Sequence, residues 1–168
     1  MRKQTPEFFE KFMKVHPNRR FKNLLDVGSA HINGDIRGKV EDYKIEYAGL
    51  DMREGENVDI VLNAHDIPKR FKKGSFDIVT CFDTLEHDDM FWLTVENMKW
   101  ALKKRGYLLI GVPGGNCPYH AEPEDYWRFT KQAVSSWFEG MEDFLIDVQY
   151  DDKRNLVEDA IYAWGRKK

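Results

Sequence analysis

The stretch Phe76-Asp77-Ile78-Val79-Thr80-Cys81-Phe82-Asp83-Thr84-Leu85-Glu86-His87 decides how the rest of the chain is read. Phe76 to Phe82 is an apolar run of strand length without strict polar alternation. A strand of that kind is covered on both faces, as central strands of parallel sheets are. It breaks abruptly into the polar cluster Asp83 to His87. Just downstream, Asp88 or Asp89 can cap a helix whose apolar positions Phe91, Val95, Met98 and Leu102 recur at helical spacing, with Gly106 as its stop. Tyr107 to Val112 reads as the next strand, ended by Pro113-Gly114-Gly115.

Upstream the same alternation holds. Val58 to Leu62 is a strand ending near Asn63, Tyr47 to Leu50 one ending on Asp51, and Leu24 to Val27 one running into Gly28. Thr5 can cap a first helix with Pro6 at its first position and an apolar face of Phe8, Phe9, Phe12 and Met13. Downstream, Thr130 caps another helix that ends by Gly140. Phe144 to Tyr150 alternates, with Phe144, Ile146, Val148 and Tyr150 on one side, and Ala160 to Trp164 is the final strand. No helix joins these last two, so they read as antiparallel neighbours. Only residues 52–57 separate the second and third strands, whereas a parallel crossover needs about a dozen or more. The usual helix is missing there, and the third strand is expected to be short or irregular. The fold class is α/β. It has a single, mostly parallel seven-stranded sheet, an antiparallel C-terminal strand and helices on both faces.

A length of 168 residues fits one domain, with residues 1–20 as an N-terminal helix and lead-in and 21–168 as the core. The net charge of -3 argues against the chain-wide basic field of a nucleic-acid binder. Basic clusters such as Lys69-Arg70 and Lys103-Lys104-Arg105 read as solvated surface. Cys81 sits in the apolar run as core and Cys117 in a Gly/Pro loop as a free thiol. The cysteines, histidines and acids show no ligand spacing, so no metal site is expected. No secretory signal or membrane-length apolar run is present, and the expected location is cytoplasmic.

In sheets of this kind ligands bind beyond the carboxyl ends of the strands, at the switch in strand order. The residues to weigh are therefore Asp26 and Gly28, Asp51, Asn63 to Asp66, Asp83 to His87, and the loop after Val112. A sharp turn at Gly28 lets backbone approach a ligand closely. Asp51, ending the next strand, offers two acceptor oxygens to the hydroxyls of a ribose, or is a surface turn residue. In Asn63-Ala64-His65-Asp66-Ile67-Pro68, Asp66 could accept from an exocyclic amine and Ile67 pack on a base; the alternative is an Asx turn before Pro68. Neither a Walker loop nor G-x-G-x-x-G is present, which disfavours a nicotinamide- or flavin-dependent oxidoreductase.

In their order and spacing these pieces resemble the class I S-adenosylmethionine-dependent methyltransferases, most of all the type 11 methyltransferase group. The likeness runs from about Leu24 to Phe138. It rests on Leu24-Leu-Asp-Val-Gly-Ser29, Tyr47-Ala-Gly-Leu-Asp51, Ala64-His-Asp-Ile-Pro68, Gly74-Ser-Phe-Asp-Ile-Val79 with Leu85-Glu-His87, Leu102 to Ile110, and Asp125-Tyr-Trp-Arg-Phe-Thr130. The resemblance implies a Rossmann-like methyltransferase fold and S-adenosylmethionine as cofactor, with S-adenosylhomocysteine as product. It implies cofactor contacts from Asp26, Gly28, Ser29, Asn33, Asp51, Met52, His65, Asp66, Ile67, Phe82, Asp83 and Leu85. Ala30 and Ile32 stand where the family often has further glycines, with Asn33-Gly34 following.

A sulfonium methyl is already activated, so alignment and exclusion of water carry much of the rate. A base is needed only for a protonated acceptor. His87 and His120 are the candidates for that base, each with a structural, hydrogen-bonded role as the alternative. Tyr126 and Arg128 could line an acceptor site, or the Tyr126-to-Phe129 loop could anchor itself by its aromatics with Arg128 paired to a nearby acid. The expected activity is methyl transfer to a small-molecule or sugar-containing acceptor, with no membrane or nucleic-acid partner. The alternative is a non-catalytic cofactor-binding or partner module on the same fold.

Overall fold

The structure, a computed structural model, describes residues 4–30, 36–120, 124–150 and 158–168. Seven strands form one sheet: β1 Asn23–Val27, β2 Glu46–Asp51, β3 Ile60–Val61, β4 Phe76–Phe82, β5 Leu102–Pro113, β6 Glu142–Tyr150 and β7 Glu158–Arg166. Their order is β3-β2-β1-β4-β5-β7-β6. Pairs from β3 through β5 are parallel, and β7 runs antiparallel to both β5 and β6. The expected fold class is the one observed. Five helices accompany the strands among the described residues: α1 Gln4–Val15, α2 Arg37–Asp42, α3 Ile67–Arg70, α4 Phe91–Ala101 and α5 Lys131–Trp137.

Side-chain alternation builds two cores from one sheet. Leu25, Val79, Cys81, Leu108, Ile110, Ile161 and Ala163 face α3, α4 and α5. Their neighbours Leu24, Ile78, Phe82, Leu109, Tyr162 and Trp164 face α1 and α2. The period of two within continuously apolar strands is what a doubly covered sheet requires. A 12-residue helix such as α1 is marginal alone, so its stability comes from docking. Phe8, Phe9, Phe12 and Met13 are all buried, worth about 6–12 kcal/mol gross at the usual value per large apolar side chain.

Thr5 departs from its expected capping role. It lies inside α1, fully buried, with its hydroxyl 3.2 Å from that of Tyr162. It therefore ties α1 to β7. Leu102 is also reassigned. It takes extended angles and opens β5, pairing with Phe76, so α4 ends a residue earlier than its apolar spacing suggests. Residues 37–42 form a helix the sequence did not announce, because Val40 is its one buried side chain. The third strand is as short as expected, and no helix precedes it. Asp59 holds the edge of β2 instead. Its carboxylate accepts from the Gly49 amide at 2.8 Å and from Arg37 at 2.5 Å. Thr130 caps α5, accepting from the Ala133 amide at 3.2 Å.

Strand order reverses between β1 and β4, and there the two turns touch. Gly28 has φ +79°, and a Cβ placed on it would lie 2.0 Å from the Thr84 hydroxyl. Gly28→Ala is expected to lower stability by about 2–4 kcal/mol, combining left-handed strain with overpacking. Adding Thr84→Gly should return the overpacking share and leave the strain. Urea unfolding of the single and double variants checks this, and an unshifted midpoint for Gly28→Ala would refute it.

Candidate active site

In a sheet of this order the cleft for a ligand belongs at the carboxyl ends of β1, β2 and β4, where the order reverses. The amides of Gly28 and Ser29 both reach the Leu50 carbonyl, at 2.8 and 3.1 Å, which folds the turn after β1 onto the end of β2. Asp51 follows directly. Its two oxygens accept from the amides of Ala30 at 3.2 Å and Arg53 at 3.1 Å. A half-buried carboxylate held by backbone at a strand end is rigid, and each oxygen keeps a lone pair for a ligand. Met52 beside it is 63% exposed and can cover a ligand there.

Asp26 is spent inside. It accepts from Thr80 at 2.6 Å and from the Tyr47 hydroxyl at 2.7 Å, so it braces β1 between its neighbours beneath Gly28. Ser29 is buried, and its hydroxyl has no hydrogen-bond partner among the described residues. Asn33 lies outside the described residues.

On the far side of β2, Asn63 makes the Asx turn, accepting from the His65 amide at 2.8 Å. His65 Nε2 lies 2.9 Å from Asp88, and the Asn97 amide donates to the carbonyls of Ala64 and His65 at 3.0 and 2.9 Å. This turn is clamped onto α4. Asp66 remains partly exposed and pairs with Lys69 at 2.8 Å.

Three expected ligand contacts are corrected by burial. Ile67 and Leu85 have no exposed surface and belong to the core under α4, so they support the site from beneath rather than touch a ligand with their side chains. Phe82 packs among Phe8 and Tyr162 on the opposite face. Asp83 sits at the β4 terminus with φ +48°, where the chain swings from the strand into the 3₁₀ turn Leu85–His87.

The acceptor side is closed by the segment after β5. Glu86 ties it down through its carbonyl, which accepts from the amides of Tyr126 at 2.7 Å and Trp127 at 3.3 Å. The Trp127 indole donates to the Asp88 carbonyl at 2.9 Å. Arg128 does not face a substrate. It holds Asp125 bidentately at 2.5 and 2.6 Å and donates to the carbonyls of Cys117, Trp127 and Pro118. These contacts use all five guanidinium donors. Arg128 also holds the Asp125 carboxyl far below the usual carboxylate range, aided by the His120 amide. Tyr126 is 51% exposed and free to meet an acceptor.

The histidines meet over Glu86. His87 Nδ1 contacts the Glu124 carbonyl, and His120 Nδ1 lies 3.1 Å from the Pro118 carbonyl. Their Nε2 atoms lie 3.8 and 3.6 Å from Glu86 Oε1. Glu86 is fully buried, and neither of its carboxylate oxygens has a hydrogen-bond partner among the described residues. It is the main reason the His120 pKa is raised, through attraction for the ring proton across a contact slightly longer than a hydrogen bond. The sequence marks Glu86 only as a member of the polar cluster Asp83 to His87 and gives it no role of its own, because His120, which meets it, comes from a separate loop.

A family model described as a methyltransferase domain matches residues 1–144. The chain belongs to the methyltransferase domain family. Its fold is that of the class I S-adenosylmethionine-dependent methyltransferases. Among curated proteins it is 24% identical over 139 residues to the fibrillarin-like rRNA/tRNA 2'-O-methyltransferase of Methanocaldococcus jannaschii, covering 75% of this chain. The chain spans 60% of that relative's length. Among solved structures, a SAM-dependent methyltransferase from Archaeoglobus fulgidus superposes with TM-score 0.74 at 14% identity, over 97% of this chain and 95% of the other. The 1,6-didemethyltoxoflavin-N1-methyltransferase of Burkholderia thailandensis, solved with S-adenosylhomocysteine, superposes with TM-score 0.70 at 14% identity, over 97% and 78%. At these identities the structural matches show the fold. No helix among the described residues of the methyltransferase is long and apolar enough to cross a membrane.

Arg128→Ala leaves the buried Asp125 carboxylate unpaired and is expected to destabilise the methyltransferase by about 3–5 kcal/mol. Thermal unfolding checks this. An unchanged melting temperature would return Arg128 to the role of an acceptor ligand.

Proposed function

We propose that the chain, as one methyltransferase domain over residues 1–168, moves the methyl group of S-adenosylmethionine to a hydroxyl of a small-molecule or sugar-containing acceptor. The observation that carries this is the placement of Asp51 beside the Gly28 turn, across the switch point from Thr84 and Asp83. In this reading Asp51 takes the ribose hydroxyls, and Met52, the 64–66 turn and Asp66 flank the base. The backbone from Gly28 to Ala30 faces the methionine part of the cofactor. The sulfonium then points toward Asp83 to His87.

The acceptor enters from the side of Tyr126 and Trp127. Tyr126, Trp127 and Trp92 are exposed, and the rings of Trp92 and Trp127 lie 6.5 Å apart. Aromatic faces of that kind suit a flat molecule or the apolar face of a sugar. A sugar hydroxyl is also the atom named for the archaeal 2'-O-methyltransferase relative. Methyl transfer needs the oxygen, methyl carbon and sulfur in line, which a cleft with fixed walls provides. A hydroxyl must also lose a proton, and the His87–Glu86–His120 cluster is where this chain can assist that loss.

Calorimetric titration tests the reading. S-adenosylmethionine and S-adenosylhomocysteine should bind, and NAD should not. Asp51→Ala should weaken binding by about 1.5–3 kcal/mol, roughly tenfold or more, with unchanged unfolding. Binding of NAD in place of the methionine-derived ligands would overturn the reading. Parent-like affinity in Asp51→Ala would make Asp51 a plain turn residue.

Turnover gives a second test, with methyl release followed over a panel of hydroxyl-bearing metabolites and ribonucleosides. Once an acceptor is found, His87→Ala should lower kcat by ~10²-fold or more with little change in cofactor affinity. Full turnover in that variant across pH 6 to 9 would remove His87 from the proton path.

A further inference from the structure

We infer that Glu86, His87 and His120 form a binding site for one divalent transition-metal ion of the zinc type. This goes beyond the reading above, since binding of the ion by these side chains does not depend on methyl transfer.

The first ground is Glu86 itself. Its side chain is wholly buried just beyond the end of the central strand, and both oxygens lack a hydrogen-bond partner among the described residues. An ionised carboxylate taken from water costs several kcal/mol unless a cation or donors compensate. Arg128 and the backbone amides nearby are committed elsewhere, to Asp125 and to the carbonyls of Glu86, Cys117, Trp127 and Pro118. The groups turned toward the carboxylate are the two imidazoles.

The second ground is geometry. One ligating atom from each of the three residues lies within 4.8 Å of the others. The two Nε2–Oε1 separations are 3.8 and 3.6 Å. Ligands bound at the zinc-to-nitrogen distance in a tetrahedral site stand about 3.4 Å apart, so each histidine needs to approach the carboxylate by only a few tenths of an ångström, while the two imidazoles close from within 4.8 Å of one another.

The third ground is orientation. Both histidines place Nδ1 on a backbone carbonyl, of Glu124 and Pro118. With Nδ1 set on a carbonyl, both Nε2 atoms look at Glu86, and a bound ion would take the place of any proton shared there. Hydrogen bonding of the second ring nitrogen to a carbonyl or carboxylate is the usual support of metal-bound histidine. Two imidazoles and one carboxylate suit zinc and its first-row neighbours and leave a coordination position open. That position faces the acceptor side, and an acceptor oxygen is the ligand it would take; this last step alone rests on the methyl-transfer reading.

The test uses tag-free full-length protein, stripped with a chelator. Co²⁺ is added and its visible d–d absorption followed, Zn²⁺ is titrated by calorimetry, and S-adenosylhomocysteine is titrated separately into the stripped protein. One equivalent of each metal is expected to bind. Glu86→Gln, His87→Ala and His120→Ala should each weaken Zn²⁺ binding at least tenfold. His120 lies at the surface, so its variant keeps the test valid if Glu86→Gln fails to fold. Cys117, whose sulfur lies 3.9 Å from His120 Nδ1, is the control, and Cys117→Ser should bind as the parent does. Absence of saturable binding in folded protein would overturn the site and leave a proton-sharing cluster. Binding that survives loss of Glu86 or His120, or that disappears with Cys117, would overturn it equally. Metal binding without S-adenosylhomocysteine binding would sustain the site while contradicting the cofactor reading.

Discussion

The contact between Gly28 and Thr84 governs the geometry of this molecule. Two strands of opposite winding direction end side by side, and their turns meet with no room for a single extra carbon. That closeness sets the cleft. It puts the turn after β1 against the end of β2, so that Asp51 is braced by the amides of Ala30 and Arg53. It also starts the segment after β4 from a fixed point, and Asp83 at positive φ turns that segment outward. The central strands of the sheet below are covered on both faces, and the site inherits their rigidity.

Glu86 couples the two halves of the cleft. Its carbonyl anchors the loop at Tyr126 and Trp127, while its side chain gathers His87 and His120. Asp125 and Arg128 hold that loop as a self-contained unit, leaving Tyr126 and Trp127 to the solvent. A separate cavity of about 230 Å³, lined by Met13, His16, Pro17, Phe21 and Ile45 among others, opens at the amino ends of the strands. It lies away from this chemistry.

Much of the architecture was legible in the residues. The unbroken run of β4 announced a doubly covered strand, and the shortage of residues between Asp51 and Val58 announced a crossover without its helix. Strand ends pointed to Gly28 and Asp51 because polar residues there have no core to enter. What the sequence concealed depended on contacts far apart in the chain. Thr5 looked like a cap because its partner, Tyr162, is 157 residues away. Ile67, Phe82 and Leu85 looked like ligand contacts because their neighbours in the chain are polar, yet the pleat and the 3₁₀ turns send their side chains into the cores. Arg128 looked available until five acceptors converged on it. Glu86 was visible only as part of the polar cluster Asp83 to His87, since its particular meaning comes from His120, brought to it by a separate loop.

The most direct measurement is a crystal structure of the protein with S-adenosylhomocysteine. The ribose hydroxyls should lie within hydrogen-bond distance of Asp51, the adenine beside residues 64–66, and the sulfur should face Asp83 to His87. A nucleoside seated in the cavity near Phe21 and Ile45, or one that leaves Asp51 untouched, would contradict the placement of the active site at the switch between β1 and β4.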